Sequence, residues 1–322
     1  MSRLAALRSM LRLVARGLAS RGDAQPLPEV PRRRPAVERD GIAVEPARVE
    51  RYLRATAGGG IARLRGGDAV VSPVFPATWE TAQALELFAG LEHPLPAGVV
   101  HVEGELVSLR PIAAADRIRC RVELERADPV RRGIRLVLVA RNWNAAGQLC
   151  TQSTTAFLAR SRAPPAEEAD DAGAARSSSR AEGDPRAEPP EEWDEAASWR
   201  LRGDAGRRYA AVSGDYNPIH LWSFTARPFG FRRPILHGFC TQAMVAHALI
   251  MQRFDGDPTA LRRLRIAFRA PLPLPSVARL LVGERMSQRW FRVVDERGET
   301  VFAEGTYAGG VQVPRPELRV VR

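Results

Sequence analysis

Residues 209–220 read Tyr-Ala-Ala-Val-Ser-Gly-Asp-Tyr-Asn-Pro-Ile-His, and the interpretation of the fold starts from this stretch. Its Ser-Gly-Asp and Asn-Pro steps are typical of turns, and Pro218 prevents a regular helix between Asp215 and His220. One carboxylate and one imidazole therefore stand on an irregular backbone, where they can converge. Such a pair can move a proton through one water molecule. The residues are equally compatible with a tight loop in which Asp215 caps backbone N–H groups and Asn217 forms an Asx-turn.

A second block, Pro234-Ile-Leu-His-Gly238, leads into a long apolar stretch. Residues 238–254 are long and apolar enough to form a helix. Gly238 opens that helix, so its N–H is one of the donors that have no partner inside the helix. The helix dipole favours negative charge at this end, and glycine lets a carbonyl approach closely. The N–H of Gly238 is therefore suited to a developing oxyanion.

The same order of elements occurs twice along the chain. In each half, a loop region and one apolar helix precede a series of strands joined by tight turns. The helices are predicted at 78–91 and 238–254. The strands are predicted at 101–110, 117–125, 134–142 and 150–159, and again at 264–269, 277–285, 289–295 and 300–307. A single helix of about 17 residues needs a curved sheet to cover it, so the pattern indicates two joined α+β units.

Composition divides the chain into five segments. Residues 161–195 carry 11 acids against 4 arginines among Ala, Pro and Ser, which is typical of a linker. This linker separates a first half, 41–160, from a second half, 196–313, and residues 314–322 form a tail. The basic, Pro- and Arg-rich segment 1–40 begins with leucines at helical spacing. For its start, a loosely docked terminal helix, a membrane-surface helix and a mitochondrial-type transit peptide all remain open.

Together, the two blocks resemble the signature of the MaoC-like, (R)-specific enoyl-CoA hydratase 2 family. The matching residues are Tyr209, Ser213, Gly214, Asp215, Asn217, Pro218, Ile219, His220 and Ala226. The block from Gly230 to Gly238 is also similar, and the resemblance covers residues 196–310 well. It implies an α+β double hot-dog fold, in which each of two repeats has a long central helix wrapped by an antiparallel sheet.

The resemblance also implies a reaction, the reversible syn addition of water to a trans-2-enoyl thioester. Carried over to this chain, Asp215 and His220 activate and hold the water, while the N–H of Gly238 polarises the thioester carbonyl. Supporting roles fall to Asn217, Ser213, Tyr209 and His237. Of these, Asn217 is expected to orient the dyad, and His237 to support the turn without a catalytic role. This chemistry requires no metal ion and no organic cofactor.

The first half departs from the family pattern because it contains no Ser-Gly-Asp-x-Asn-Pro-x-His run. We therefore expect one active site per chain, in the second half, with a structural and substrate-shaping role for the first. His101 and Glu103 are expected on a strand, either facing solvent or pairing across the sheet. Four residues of the first helix are candidates to line an acyl tunnel or to form plain core: Trp79, Leu85, Leu87 and Phe88.

Charge narrows the class of partner. The chain has 322 residues, a formal net charge of +11 and no lysine among its 48 basic residues, which excludes lysine Schiff bases and a P-loop. A basic body favours anionic partners, here the thioesters of coenzyme A or of an acyl carrier protein. Three arginines that flank the motif either meet phosphates or form a solvated face: Arg227, Arg232 and Arg233. With 7% aromatic residues and no basic–aromatic interleaving, nucleic acid is not expected as a partner.

Compartment and assembly are less constrained. Three widely spaced cysteines fit a reducing compartment, so a cytoplasmic location is expected. One double hot dog can stand as a pseudo-dimer, so a monomer and a homodimer both remain open.

Two other functions also remain open at this point. Hot-dog proteins include thioesterases, which would release free thiol, although thioesterases of this fold generally lack the run at 213–220. A non-catalytic subunit would bind acyl-CoA or acyl carrier protein without turning it over. The sequence does not specify the acyl chain length, the direction of the reaction or the thioester carrier.

Overall fold

The computed structural model describes residues 34–64, 69–91, 99–130, 133–160 and 188–310. The first half contains β1 (Ala36–Ala43), α1 (Pro46–Ala55), α2 (Ala77–Ala89), β2 (Val99–Ser108), β3 (Arg117–Val130), β4 (Gly133–Trp143) and β5 (Leu149–Arg160). The second half contains β6 (Asp194–Leu201), α3 (Ala205–Ser213), α4 (Ser223–Ala226), α5 (Gly238–Arg253), β7 (Leu261–Phe268), β8 (Ser276–Arg285), β9 (Gln288–Asp295) and β10 (Val301–Gly309).

One antiparallel sheet of 10 strands runs through both halves, in the order β1-β3-β4-β5-β2-β7-β10-β9-β8-β6. The second half mirrors the first. From the middle of the sheet outward, the first half contributes β2, β5, β4, β3 and β1, and the second half contributes β7, β10, β9, β8 and β6 in the corresponding order. The halves join where β2 pairs with β7, from Glu103 opposite Ala267 to Val107 opposite Arg263. This topology confirms the α+β double hot dog.

The central helix α5 is buried because apolar residues occupy nearly all of its faces. Ala243, Val245, Leu249 and Ile250 are completely buried, and the helix packs against β2, β6 and β7. Its contact with β2 brings it against the first half, so its N-terminus lies near residues of both repeats. Within the described part of the chain, no helix combines the length and the apolar character that crossing a lipid bilayer requires.

The two outermost strands begin earlier than composition suggests. β1 starts at Ala36, inside the segment 1–40, and β6 starts at Asp194, inside the predicted linker 161–195. Both are edge strands, exposed over most of β1 and over half of β6, so they carry charged residues that look like linker or tail. Residues 1–33, 161–187 and 311–322 lie outside the described residues, and with them the predicted N-terminal helix, most of the linker and the tail.

Candidate active site

The C-terminus of α3 sets the direction of the motif loop. Gly214 follows the helix with φ of 79°, in the left-handed region that favours glycine, and its N–H donates to Ala210 O at 2.8 Å. Ser213 Oγ donates to Tyr209 O at 3.0 Å and accepts from Asp215 N–H at 3.2 Å. Ser213 therefore joins the helix end to the first residue of the dyad.

The Asp215 carboxylate and the Asn217 amide shape the next turn. Asp215 Oδ1 accepts from Asn217 N–H at 3.1 Å, and Asn217 Oδ1 accepts from Ile219 N–H at 3.4 Å. Asn217 Nδ2 also donates to Val99 O of β2 at 3.4 Å. The hydrogen bonds to backbone N–H groups that a tight loop predicts are therefore present, and a further hydrogen bond joins the loop to β2 of the first half.

His220 is buried at the end of this turn, with one ring nitrogen fixed. Its Nδ1 lies 2.8 Å from Ile235 O, and because a carbonyl only accepts, Nδ1 carries the proton. Burial, reinforced by the neighbouring His237, lowers the pKa of His220 to about 3, so the ring is neutral near pH 7. Its Nε2 is therefore an unprotonated acceptor that can take a proton from water.

His237 lies directly against His220, with ring centroids 3.7 Å apart and ring planes 25° apart. Its Nε2–H donates to Asp215 O at 3.0 Å, and its buried Nδ1 has no partner among the described residues. Burial lowers the pKa of His237 to about 4, so this ring is also neutral near pH 7. The Tyr209 ring packs beside it, with centroids 4.9 Å apart. Four predicted residues, Asp215, His220, His237 and Tyr209, are thus brought together.

The cluster also has the composition of a metal site. One ligand atom each of Asp215, His220 and His237 lies within 4.8 Å of the other two. Each imidazole already uses one ring nitrogen for a backbone carbonyl, His220 Nδ1 for Ile235 O and His237 Nε2 for Asp215 O. The Asp215 carboxylate and the remaining nitrogen of His220 can also hold a water molecule between them.

Directly after this cluster, α5 begins at Gly238. The N–H of Gly238 belongs to the first turn, whose N–H groups have no partner within the helix. A Cβ at residue 238 would lie 2.6 Å from His101 Nδ1 and 2.9 Å from His101 Cγ. Glycine is thus required by packing against the first half, in addition to the close carbonyl approach expected from the sequence.

Of the two alternatives expected for His101, the structure contains pairing across the sheet, since its ring centroid lies 5.5 Å from that of its cross-strand partner Phe157. The His101 ring also packs against Phe239 and Phe268, with centroids 4.5 and 4.8 Å apart. Nε2–H donates to Glu103 O at 3.0 Å, and Nδ1 is buried without a partner among the described residues. A strand pattern could not reveal this, because the second repeat covers this part of β2. Glu103 also pairs across the sheet, with Arg135.

Gly206 is a further residue of the site that sequence reasoning missed. It lies in α3, and a Cβ at this position would collide with the carbonyl oxygen of His220. The absence of a side chain therefore lets α3 pack directly on the backbone of the catalytic candidate. No sequence signal marks this glycine, because the contact joins two separate elements.

The three flanking arginines are not part of the buried cluster. Arg227, Arg232 and Arg233 are all exposed. The same segment exposes two aromatic rings that were not predicted as functional, Trp222 and Phe224, stacked with centroids 5.9 Å apart. The segment after His220 is therefore a basic, partly aromatic surface.

The predicted tunnel residues lie mostly in the core. Trp79, Leu87 and Phe88 are buried, and Trp79 Nε1–H donates to Asn142 Oδ1 at 2.8 Å. Leu85 is half-buried. These residues fit the plain-core alternative.

Comparisons with known proteins agree with this fold and site. A family model described as a MaoC-like domain matches residues 185–305. The chain is 32% identical over 276 residues to 3-hydroxyacyl-thioester dehydratase X of Mycobacterium tuberculosis, covering 82% of this chain and 87% of the relative. It is 37% identical over 93 residues to the peroxisomal enoyl-CoA hydratase 2 of Arabidopsis thaliana, covering 29% and 30% of the two chains.

Solved structures extend the likeness over most of the chain. The crystal structure of HtdX from Mycobacterium tuberculosis matches with a TM-score of 0.66 at 26% identity, covering 85% of this chain and all of the other. Another Mycobacterium tuberculosis protein, described as a double hot dog, matches with a TM-score of 0.53 at 11% identity, covering 85% of this chain and 96% of the other. The similarity to dehydratase X spans nearly the whole relative and includes both repeats. The chain therefore belongs to the MaoC-like dehydratase family and is a double hot-dog hydro-lyase.

Proposed function

We propose that this protein catalyses the reversible hydration of trans-2-enoyl thioesters to (R)-3-hydroxyacyl thioesters. One observation carries the proposal: the Asp215 carboxylate and the unprotonated Nε2 of His220 lie beside the first turn of α5, where Gly238 offers its N–H. The names of the relatives, a 3-hydroxyacyl-thioester dehydratase and an enoyl-CoA hydratase, support the same reaction.

In the hydration direction, Asp215 and His220 hold one water molecule. As the water oxygen forms a bond to C3 of the substrate, the C2–C3 π bond opens and negative charge moves to the thioester oxygen. The N–H of Gly238 donates to that oxygen, with the dipole of α5 behind it. The dyad takes a proton from the water and delivers one to C2 on the same face. Dehydration is the reverse sequence.

The remaining predicted residues position the dyad. Ser213 and Asn217 bind the loop backbone on either side of Asp215, while His237 binds the Asp215 carbonyl and stacks on His220. Tyr209 packs against His237. None of these four roles requires contact with the substrate.

The thioester carrier is coenzyme A or an acyl carrier protein, both of which are anionic. We assign its recognition to the exposed basic surface formed by Arg227, Arg232 and Arg233. At moderate ionic strength, opposite charges attract each other over about 10 Å. The attraction between these arginines and the anionic carrier therefore weakens as salt is added.

The decisive experiment follows the enoyl-thioester absorbance with purified protein and trans-2-enoyl-CoA substrates of several chain lengths. Absorbance falls without thiol release, and chiral analysis gives the (R)-3-hydroxy product. Asp215→Asn and His220→Gln each lower kcat by about 10²–10⁴-fold, the usual contribution of a general acid–base group.

A matched control is Asp255→Asn, a carboxylate change in the exposed turn at the far end of α5, which leaves the rate unchanged. Thiol release with an unchanged enoyl band would identify a thioesterase instead. Tight binding of enoyl thioesters, including carrier-protein thioesters, without any turnover would identify a binding subunit.

A further inference from the structure

Two helices of the first repeat support the helix that leads into the motif loop. α3 ends at Ser213, two residues before Asp215, and it packs against α1 and α2. The proposed dyad and the oxyanion donor include no residue of α1 or α2. The contacts of these two helices with α3 therefore influence the reaction through the position of the loop.

Arg48 of α1 lies where the three helices meet. Its Nε–H donates to Val212 O of α3 at 3.1 Å, and its Nη2–H donates to Thr78 O of α2 at 3.1 Å. Arg48 is half-buried, while Val212 and Thr78 are buried. One guanidinium group thus bridges a carbonyl of the second repeat and a carbonyl of the first.

The carbonyl of Val212 is one of the last in α3. The last four carbonyls of a helix have no partner within the helix, and the helix dipole makes this end negative. In α3, Ala210 O accepts from the N–H of Gly214, and Val212 O accepts from Arg48. A cation that donates at this position satisfies a carbonyl and complements the dipole, so it fixes the helix end directly before the turn at Gly214.

The same face of α1 also reaches the aromatic ring that supports the two histidines. Tyr52 stands four residues after Arg48, hence on the same face of α1. The Tyr209 ring lies 6.3 Å from the Tyr52 ring and 4.9 Å from the His237 ring, centroid to centroid. Burial raises the pKa of the Tyr209 phenol well above its usual range, and the nearby charge of Arg48 opposes that rise. α1 therefore contacts α3 both at its end and at the ring that packs against His237.

We infer that Arg48 is a positioning residue for the hydration reaction. By joining Val212 O to Thr78 O, it holds the C-terminus of α3 against the first repeat and so determines where the turn at Gly214 places the Asp215 carboxylate. Arg48 acts through the backbone of residues 212–215 and does not contact the substrate. The inference rests on the proposed function and gives α1 of the first repeat a part in it.

The geometry explains why an arginine suits this position. The guanidinium group is planar and carries its donors in a fixed arrangement, so it can serve two carbonyls at once. A lysine ammonium keeps the positive charge but places it on one nitrogen at the end of a flexible stem. Arg48→Lys therefore keeps a cation at the end of α3 and weakens the link between the two carbonyls, whereas Arg48→Met removes both the charge and the link.

The test measures kcat and KM of the full-length variants on the trans-2-enoyl-CoA that the parent hydrates fastest. Arg48→Met is expected to lower kcat about 10²-fold, because a displacement of about 1 Å in the dyad has an effect of this size. Arg48→Lys is expected to lower kcat about 10-fold, because the cation is retained. KM is expected to change less than about threefold in both variants, since Arg48 donates to protein carbonyls. Arg48→Lys keeps the test informative if Arg48→Met fails to fold.

The matched control is Arg54→Met, the same change in the last turn of the same helix. Arg54 is exposed and pairs with Glu50 of its own helix, so its replacement leaves kcat unchanged. A parent-like kcat in either Arg48 variant would overturn the inference. A fall in activity that the fraction of unfolded protein at the assay temperature fully explains, as measured by thermal unfolding, would also overturn it.

A measurement without turnover separates failure of the inference from failure of the proposed function. Proton NMR follows the two hydrogen-bonded ring N–H groups, His220 Nδ1–H and His237 Nε2–H. Both signals are expected to shift in the two Arg48 variants and to stay in place in Arg54→Met. Shifted signals in a protein that hydrates no enoyl thioester would support placement of the site by Arg48 and contradict the hydratase. Unchanged signals in both Arg48 variants would contradict the inference and leave the hydratase assignment in place.

Discussion

At the residue scale, three glycines are as important for the geometry of the site as the reactive side chains are. Gly206 lets α3 lie on the carbonyl of His220, Gly214 takes the left-handed conformation that turns the chain towards Asp215, and Gly238 leaves room for His101. Gly206 and Gly238 permit close approaches that a Cβ would obstruct, and Gly214 adopts a positive φ that other residues rarely adopt. The dyad is therefore placed by backbone packing.

Gly206→Ala tests this placement. The added methyl group pushes against the His220 carbonyl, so α3 or the His220 turn shifts, and a displacement of about 1 Å is enough to lower kcat by about 10²-fold. Enoyl-thioester hydration and thermal unfolding of the variant check the result. Gly203→Ala is the matched control, because its Cβ would make only an ordinary contact, 3.9 Å from Pro275 Cδ. Full activity in Gly206→Ala would contradict the role given to this glycine.

At the scale of elements, the N-terminus of α5 is completed by β2 of the other repeat. His101 fills the space above Gly238, and Asn217 reaches Val99 O. Further along α5, His247 Nε2 lies 2.8 Å from Ser72 Oγ, and His247 Nδ1 lies 3.0 Å from Thr56 O. The central helix of the second repeat is thus fixed along its length by polar and aromatic groups of the first.

Gly238→Ala with and without His101→Ala tests the contact between α5 and β2. Alanine favours helices more than glycine does, so destabilisation by Gly238→Ala alone must come from collision with the His101 ring. Removing the ring in the double variant relieves the collision. Urea unfolding of the four proteins should give a coupling energy of about 1 kcal/mol or more. Additive effects of the two substitutions would mean that the ring moves aside at no cost.

At the scale of the whole molecule, the joined repeats bury ionisable groups that would be hydrated in an unfolded chain. Burial lowers the pKa to about 3 or 4 for four histidines: His101, His220, His237 and His247. It raises the pKa of Glu80 to about 7. The fifth histidine, His93, lies outside the described residues.

These shifts predict a protein that loses stability in mild acid. A histidine whose pKa is lower in the folded state binds a proton more readily in the unfolded state. Its contribution to the stability of the fold is therefore complete above about pH 6.5 and is lost as the pH falls towards 4. Glu80 acts in the opposite direction, since its raised pKa makes it stabilising at low pH and costs stability as the pH rises through 7. The effect of the four histidines is larger than that of Glu80. The free energy of unfolding is therefore expected to fall by roughly several kcal/mol between pH 7 and pH 5.

Urea unfolding at pH 7.5, 6.5 and 5.5 measures this dependence. Glu80→Gln removes the opposing contribution, so its stability should fall more steeply on acidification than that of the parent protein. A parent stability that is constant or rises on acidification would show that the buried histidines do not control it.

The sequence by itself determined the repeated α+β architecture and led to the proposal that Asp215 and His220 form the dyad. Both rest on local patterns. The architecture follows from apolar helices at 238–254 and 78–91 and from strands between turn residues, and the proposed dyad follows from the run of loop-forming and ionisable residues from Ser213 to His220. The edge strands β1 and β6 escaped detection because solvent-exposed edges carry the charged residues of a linker.

Only the tertiary structure decided how the first repeat enters the site. The contacts of His101 with Gly238 and of Asn217 with Val99 O join residues that are distant in sequence. No local pattern encodes such contacts, because they arise when β2 pairs with β7 and the two repeats become one sheet. The same pairing brings the ring of His101, which also contacts its cross-strand partner Phe157, against Gly238 and Phe239 at the start of α5.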